Sequence, residues 1–180
     1  WIKDVILKNW ALDCEKYSNK NSFNYGLFLQ AFEEIQPERE SLSKYYSLYR
    51  KLNLLNKCFY TGKEIKPDET EIDHFLPWSR FPVNSFWNLF PTSKQFNSQK
   101  TDKLIELNDY LRYEAIPRHI KKCIESNDSI VNQELKITYQ KYFKSDFNYN
   151  IERNTNELRE MVLYLYNDLD NSIIGEKIKG

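Results

Sequence analysis

A short run of alternating residues interrupts a chain whose apolar residues otherwise recur at helical spacing. Residues 70–75 alternate as a strand does, and a Pro67–Asp68 turn signal separates them from an aromatic, glycine-containing segment at 58–65. Two such segments joined by a turn predict a β-hairpin. Asp73 and His74 then lie late in the second strand, and the sheet is confined to the middle of the chain.

Helical patterns precede this run. Apolar residues from Ile2 to Tyr17 recur every three or four positions, which predicts an amphipathic helix. A second helix is predicted from Asn24 and ends at Pro37, because proline cannot donate the helical hydrogen bond. A third helix follows, with an apolar stripe that consists of Leu42, Tyr45, Tyr49 and Leu52.

The stretch after the hairpin is predicted to be an ordered loop followed by a helix. From Pro77 to Phe90, prolines, serines and asparagines alternate with aromatic residues, a composition typical of a packed loop. Thr92 and Gln95 form a capping-box pattern, so we predict that a helix begins there and carries Asn97.

The C-terminal part of the chain returns to helical spacing. We predict helices at 107–113, 117–124 and 130–143. In the last predicted helix Asn154 and Glu157 form the cap, and the apolar stripe consists of Leu158, Met161, Val162, Leu165 and Leu169.

These patterns together predict a mainly helical α+β fold. A length of 180 residues fits one domain with its own core, so we predict a single domain over residues 1–180. Its three parts are N-terminal helices at 1–57, a central motif at 58–104 and C-terminal helices at 105–180.

Composition narrows the class of protein. Basic and acidic residues number 26 each, so the net charge gives no sign of a nucleic-acid partner. No apolar run is long enough to span a bilayer, and the N-terminus lacks the pattern of a signal peptide. Three widely separated cysteines fit neither a disulfide framework nor a paired-cysteine zinc site. We therefore expect a cytoplasmic protein with no membrane partner, cut from a longer parent chain.

Asp73, His74 and Asn97 are the residues best suited to chemistry. Asp73 and Asn97 offer carboxylate and amide oxygens, which are hard ligands that suit Mg²⁺ or a similar divalent ion such as Mn²⁺. Consecutive strand residues point to opposite sides, so His74 can face away from the cation and accept a proton from water. Asn88 is expected to hydrogen-bond backbone groups across the loop and so to orient the imidazole.

The neighbourhood of these residues is locally basic. Between Leu76 and Lys103 there are four positive residues and one negative residue, a net charge of +3 in a chain that sums to zero. Such a patch suits a phosphate backbone. The candidate phosphate contacts are Lys100, Arg80 and Lys94.

Three motifs between Cys58 and Lys103 carry a resemblance to a known family. They are Glu-Ile-Asp-His-Phe-Leu-Pro from Glu71, Trp-Asn-Leu-Phe-Pro from Trp87 and Phe-Asn-Ser-Gln-Lys from Phe96. This stretch resembles the HNH endonuclease module, a ββα-metal finger. The resemblance implies that His74 is the general base, that Asn88 is the middle asparagine, and that Asp73 and Asn97 hold the metal.

The resemblance departs from the zinc-bearing members of that family. Those members have two Cys-x-x-Cys pairs, whereas the corresponding places here are Cys58, Thr61, Ser93 and Phe96. One thiol cannot form a tetrahedral zinc site. We therefore expect a catalytic divalent cation and no structural zinc.

The resemblance implies a metal-dependent endonuclease that hydrolyses phosphodiester bonds, with double-stranded DNA as the expected substrate. A larger parent chain, a partner subunit or a homodimer is expected to assist, and a role in restriction or antiphage defence is favoured. One alternative is a catalytically silent nucleic-acid-binding or assembly module with the same fold. Another is a helical protein-interaction domain in which the central stretch is structural.

Two further polar residues are interpreted as structural. Glu71 shares a strand face with Asp73 but is expected to be an exposed strand glutamate. His119 follows Pro117 and Arg118 and is expected on a helix surface.

Overall fold

The structure of the protein is a computed structural model that describes residues 41–171. All of these residues belong to one compact unit, Glu40–Gly180. The helices predicted from Ile2 and from Asn24 lie outside the described residues. The described part is mainly helical with one small antiparallel sheet, which confirms the predicted α+β class. Within it, no helix is both long and apolar enough to cross a membrane.

The sheet consists of β1 (Thr70–His74) and β2 (Leu89–Ser93), paired antiparallel with Asp73 opposite Phe90. The prediction that segment 58–65 is the partner of β1 was wrong. That segment instead folds on itself in a turn with a single isolated bridge between Lys57 and Glu64. It touches the sheet edge where the Phe59 amide donates to the Pro91 carbonyl oxygen (2.8 Å).

A short helix, α2 (Lys94–Lys100), follows β2 directly and completes a ββα unit. Its N-cap is Ser93, whose hydroxyl accepts a hydrogen bond from the Phe96 amide (3.1 Å), and not Thr92 as predicted. Thr92 is fully buried beside the Cys58 thiol and cannot cap the helix.

The remaining elements surround this unit. The α-helices are α1 (Ser43–Lys51), α3 (Ile116–Glu125), α4 (Ser129–Thr138) and α5 (Ile151–Asn171). A 3₁₀ turn covers Pro67–Glu69, and π-helical turns cover Leu111–Ala115 and Tyr139–Phe143. The two helices predicted at 107–113 and 117–124 are one continuous helical stretch, 109–125, in which Pro117 comes just after a π-helical turn.

Helix α5 begins earlier than its predicted cap. The Asn150 side chain accepts from the Arg153 amide (3.0 Å), so Asn150 is the capping residue. Asn154 is instead buried, and its amide nitrogen donates to the Tyr139 hydroxyl (2.6 Å). The predicted apolar stripe of α5 is confirmed, because Leu158 and Val162 are fully buried.

The core lies between the ββα unit and the C-terminal helices. From α5, Tyr166 packs its ring against that of Phe75 (5.7 Å between ring centroids). From α3, His119 packs against Phe90 of β2 (4.6 Å). The prediction that His119 lies on a helix surface was wrong, since it is only 3% exposed. Burial lowers the pKa of His119 to about 3, so its imidazole is neutral at ordinary pH.

Candidate active site

The two faces of β1 present different side chains to different parts of the fold. Asp73 points toward α2, where it contacts Lys100, and His74 points toward the loop, where it contacts Asn84 and Trp78. This is the division that strand alternation predicts for consecutive residues.

Asp73 lies in a nearly closed environment, with 8% of its surface exposed. Its Oδ2 atom accepts hydrogen bonds from the Tyr60 hydroxyl (2.6 Å) and from the Lys100 ammonium (2.9 Å). Burial and the neighbouring Asp73 charge raise the pKa of Tyr60 well above its usual value, so Tyr60 remains a protonated donor. Both donors bind the same carboxylate oxygen.

Lys100 faces the interior and not the surface. Its side chain is 0% exposed, and its Nζ atom also donates to the His74 carbonyl oxygen (2.7 Å). The ammonium thus ties the carboxylate of Asp73 to the backbone of the next residue. Of the three predicted phosphate contacts, Arg80 and Lys94 are exposed, whereas Lys100 serves Asp73 in this arrangement.

Asn97 of α2 is held by Glu71 of β1. The Asn97 side-chain nitrogen donates to Glu71 Oε2 (2.6 Å). Glu71 is therefore half-buried and paired, and the expectation of an exposed glutamate was wrong. A sequence signal for this pairing existed: Glu71 and Asp73 share a strand face, and Asn97 and Lys100 share a helix face.

The His74 imidazole is oriented by Asn84, a residue that the sequence analysis missed. Nε2 of His74 lies 2.8 Å from Oδ1 of Asn84. An amide oxygen only accepts hydrogen bonds, so Nε2 is the donor in this contact, and in the neutral form of the ring Nδ1 is the nitrogen without a proton. The Trp78 ring flanks the imidazole at 5.1 Å between centroids. Only a general composition signal marked Asn84, since the loop is rich in asparagine and serine.

Asn88 is fully buried and joins the two sides of the loop. Its Oδ1 accepts from the Leu76 amide (2.8 Å), and its Nδ2 donates to the Val83 carbonyl oxygen (3.0 Å). Its backbone carbonyl also accepts from the Phe75 amide (2.8 Å). These bonds go to backbone groups beside His74 and Asn84, the kind of contact that the sequence analysis expected of Asn88.

The four residues that the sequence resemblance set against two Cys-x-x-Cys pairs also come together here. Cys58, Thr61, Ser93 and Phe96 line one open cavity of about 500 Å³. The Ser93 hydroxyl caps α2, and the Phe96 ring stacks on Tyr60 (5.0 Å). Burial acts to raise the pKa of the Cys58 thiol, but hydrogen bonds from Thr61 and Thr92 outweigh it and leave the pKa below its usual value. The expected absence of structural zinc stays a prediction.

Comparison with known proteins identifies this region. Residues 58–105 match the sequence model of an HNH endonuclease family, and a search of curated proteins finds no match to the chain. The matched segment covers the ββα unit, the loop and the turn before β1. The chain therefore contains a module of the HNH endonuclease family. This family comprises nucleases that act on nucleic acid and generally use divalent metal ions.

Proposed function

We propose that the chain is a metal-dependent endonuclease in which His74 is the general base and Asp73 and Asn97 hold the cation. The observation that carries the proposal is the two-sided arrangement at β1. The Asp73 carboxylate of β1 and the Asn97 amide of α2 lie on one face. The His74 imidazole, with a proton on Nε2, lies on the other face.

The donor set on the α2 side fits a hard divalent cation. Carboxylate and amide oxygens are the ligands that Mg²⁺ and Mn²⁺ prefer. Because the Asn97 nitrogen is bound to Glu71 and because Tyr60 and Lys100 both bind Oδ2 of Asp73, the Asn97 amide oxygen and Oδ1 of Asp73 are the atoms that would hold the ion. When bound, such a cation stabilises the charge that develops on a phosphodiester as it breaks.

His74 supplies the proton acceptor for the attacking water. Asn84 fixes the proton on Nε2, so Nδ1 accepts the proton from water. Trp78 and Asn84 limit the rotation of the ring, which keeps Nδ1 in one direction. Asn88 supports this geometry by holding the loop on which Asn84 lies.

Charge balance supports a phosphate-bearing substrate. Lys100 already neutralises Asp73, so a divalent cation at this face would leave it with excess positive charge. A phosphodiester supplies the compensating negative charge. The exposed Arg80 and Lys94 are proposed as further phosphate contacts.

The biological setting of the enzyme is part of the proposal. We infer double-stranded DNA as substrate, a larger parent chain or a homodimer as the cleaving assembly, and a cytoplasmic role in restriction or antiphage defence. A single site of this kind cuts one strand, so a double-strand break needs two copies or two events. Single-domain organisation over residues 1–180 remains a prediction.

Cleavage of supercoiled plasmid with Mg²⁺ or Mn²⁺ tests the function. We expect nicked product from the wild-type chain, no product with EDTA, and loss of activity in His74→Ala. A Tyr164→Ala variant is the control, because Tyr164 is an exposed residue of α5 that lies outside the proposed site. Equal cleavage by wild type and His74→Ala would refute the assignment of the base. Metal-dependent DNA binding without cleavage would support the silent-module alternative.

A further inference from the structure

A carboxylate outside the family segment holds the loop that orients the base. Glu134 lies on α4, and its Oε2 atom accepts hydrogen bonds from the Ser85 hydroxyl and from the Phe86 amide, both at 2.9 Å. Its other oxygen, Oε1, accepts from the Tyr45 hydroxyl of α1 at 2.6 Å. Both oxygens of one carboxylate are thus used to join two helices to residues 85 and 86.

Tyr45 extends the same network to Asn84. Its hydroxyl lies 2.8 Å from the Asn84 carbonyl oxygen as well as next to Glu134. The single hydroxyl proton is therefore shared between two acceptors. Through Glu134 and Tyr45, three consecutive loop residues are bound to the helical part of the fold.

Asn84 lies between two parts of the loop that are each held by a side chain. On one side, Val83 is held by the Asn88 side chain, and on the other side Ser85 and Phe86 are held by Glu134. The loop has no ladder of strand hydrogen bonds at this point. Its Ser85 carbonyl accepts from the Asn88 and Leu89 amides, and side chains supply further bonds to its backbone. Asn84 can orient an imidazole only if its own backbone is fixed.

Burial makes the Glu134 contacts strong. The Glu134 side chain is 11% exposed, and its nearest cation, Lys44, lies 3.7 Å away with 44% of its side chain exposed. Hydrogen bonds to a charged acceptor are shorter and stronger than those between neutral groups. A largely buried carboxylate therefore depends on its loop and tyrosine donors, and the loop depends on it.

We propose that Glu134 is a positioning residue for the nuclease reaction, acting through the loop at residues 84–86 and through Asn84 on the orientation of His74. This inference rests on the proposed function. It assigns to α1 and α4, which lie outside residues 58–105, the task of fixing the general base. The HNH segment alone would lack this support.

A double-mutant cycle tests the inference. Glu134→Gln keeps the size of the side chain but removes its charge, and we expect about a 10- to 100-fold lower single-turnover cleavage rate with DNA affinity unchanged. In an Asn84→Ala background the same change should have little further effect, because its path to His74 is already broken. A merely structural role would give multiplicative, independent losses in the two backgrounds.

Glu157→Gln is the matched control, since Glu157 also accepts from a tyrosine hydroxyl, that of Tyr139, but lies on α5 away from the loop. We expect it to leave the cleavage rate near that of wild type. A Glu134→Gln enzyme that cleaves like wild type would overturn the inference while leaving the nuclease proposal intact. If the wild-type chain itself does not cleave DNA, the proposed function is refuted instead.

Nuclear magnetic resonance gives a readout that needs no cleavage. Long-range ¹H–¹⁵N correlation spectra report which imidazole nitrogen carries the proton. We expect a fixed Nε2–H form of His74 in the wild-type chain and a mixture of the two forms in Glu134→Gln, with circular dichroism confirming that the variant is folded. Identical His74 signals in both chains would overturn the inference.

Discussion

Replacing Lys100 with methionine removes one partner of a buried ion pair and keeps the apolar part of the side chain. In the wild-type chain its ammonium donates to Asp73 (2.9 Å) and to the His74 carbonyl oxygen (2.7 Å), with none of the side chain exposed. The variant leaves the Asp73 carboxylate buried and removes one of the two donors described above, so that the Tyr60 hydroxyl remains. The His74 carbonyl also loses this donor.

The size of the effect follows from the cost of an uncompensated buried charge. Removing one partner of such a pair costs about 3–5 kcal/mol of folding free energy. The Tyr60 hydroxyl lowers the cost, and the loss of the hydrogen bond from the Lys100 ammonium to the His74 carbonyl raises it by about 1.5–3 kcal/mol. We therefore expect Lys100→Met to lose about 4 kcal/mol, a large share of the roughly 5–15 kcal/mol that stabilises a typical domain.

Urea unfolding in the presence and absence of Mg²⁺ measures this loss. The midpoint should fall with an unchanged slope, and Mg²⁺ should restore more stability to the variant than to wild type, because Asp73 has lost its counter-charge. Lys94→Met is the control, since Lys94 is exposed on the same helix and should change stability by no more than about 0.5 kcal/mol. If the two variants unfold alike, the ion pair does not stabilise the fold. If Mg²⁺ stabilises neither chain, Asp73 is not its ligand.

Two further substitutions test other parts of the site and core. Glu71→Ala should weaken Mg²⁺ or Mn²⁺ binding about 10-fold by calorimetry, because it frees the Asn97 amide to rotate, and unchanged affinity would contradict that role. For His119, the pKa of about 3 in the folded chain lies below the unfolded value of about 6.5, so the unfolded state alone binds a proton between these values. Stability should therefore fall by about 1 kcal/mol for each pH unit below 6.5, and should fall less steeply in His119→Gln. Parallel unfolding profiles of the two chains between pH 7 and 5 would contradict the buried, neutral assignment.

Strand and helix periodicity predicted part of the site correctly. The alternation around β1 predicted that Asp73 and His74 face opposite ways, and the pattern after residue 91 predicted that Asn97 lies on a helix. The helical period also places His119 on the buried face of α3, because it lies three residues after Ile116 and four residues before Cys123, which are both buried. Local patterns of this kind express which face of an element is buried.

Contacts between distant parts of the chain could not be predicted in this way. Strand β2 contains Pro91, and its sequence is typical of a loop. It forms a strand because it pairs with β1 and is buried by the core. The hydrogen bond from Asn97 to Glu71 spans 26 positions, and that from Phe86 to Glu134 spans 48. Such pairs depend on tertiary packing, which leaves no periodic pattern in a single sequence.

Binding of Mg²⁺ to His74→Ala and to Asp73→Ala tests the two-sided site most directly. We expect His74→Ala to bind the cation with wild-type affinity by calorimetry but not to cleave DNA, whereas Asp73→Ala should lose both properties. Equal loss of cation binding in the two variants would contradict the division of roles between the faces of β1. Wild-type binding by Asp73→Ala would contradict the metal site itself.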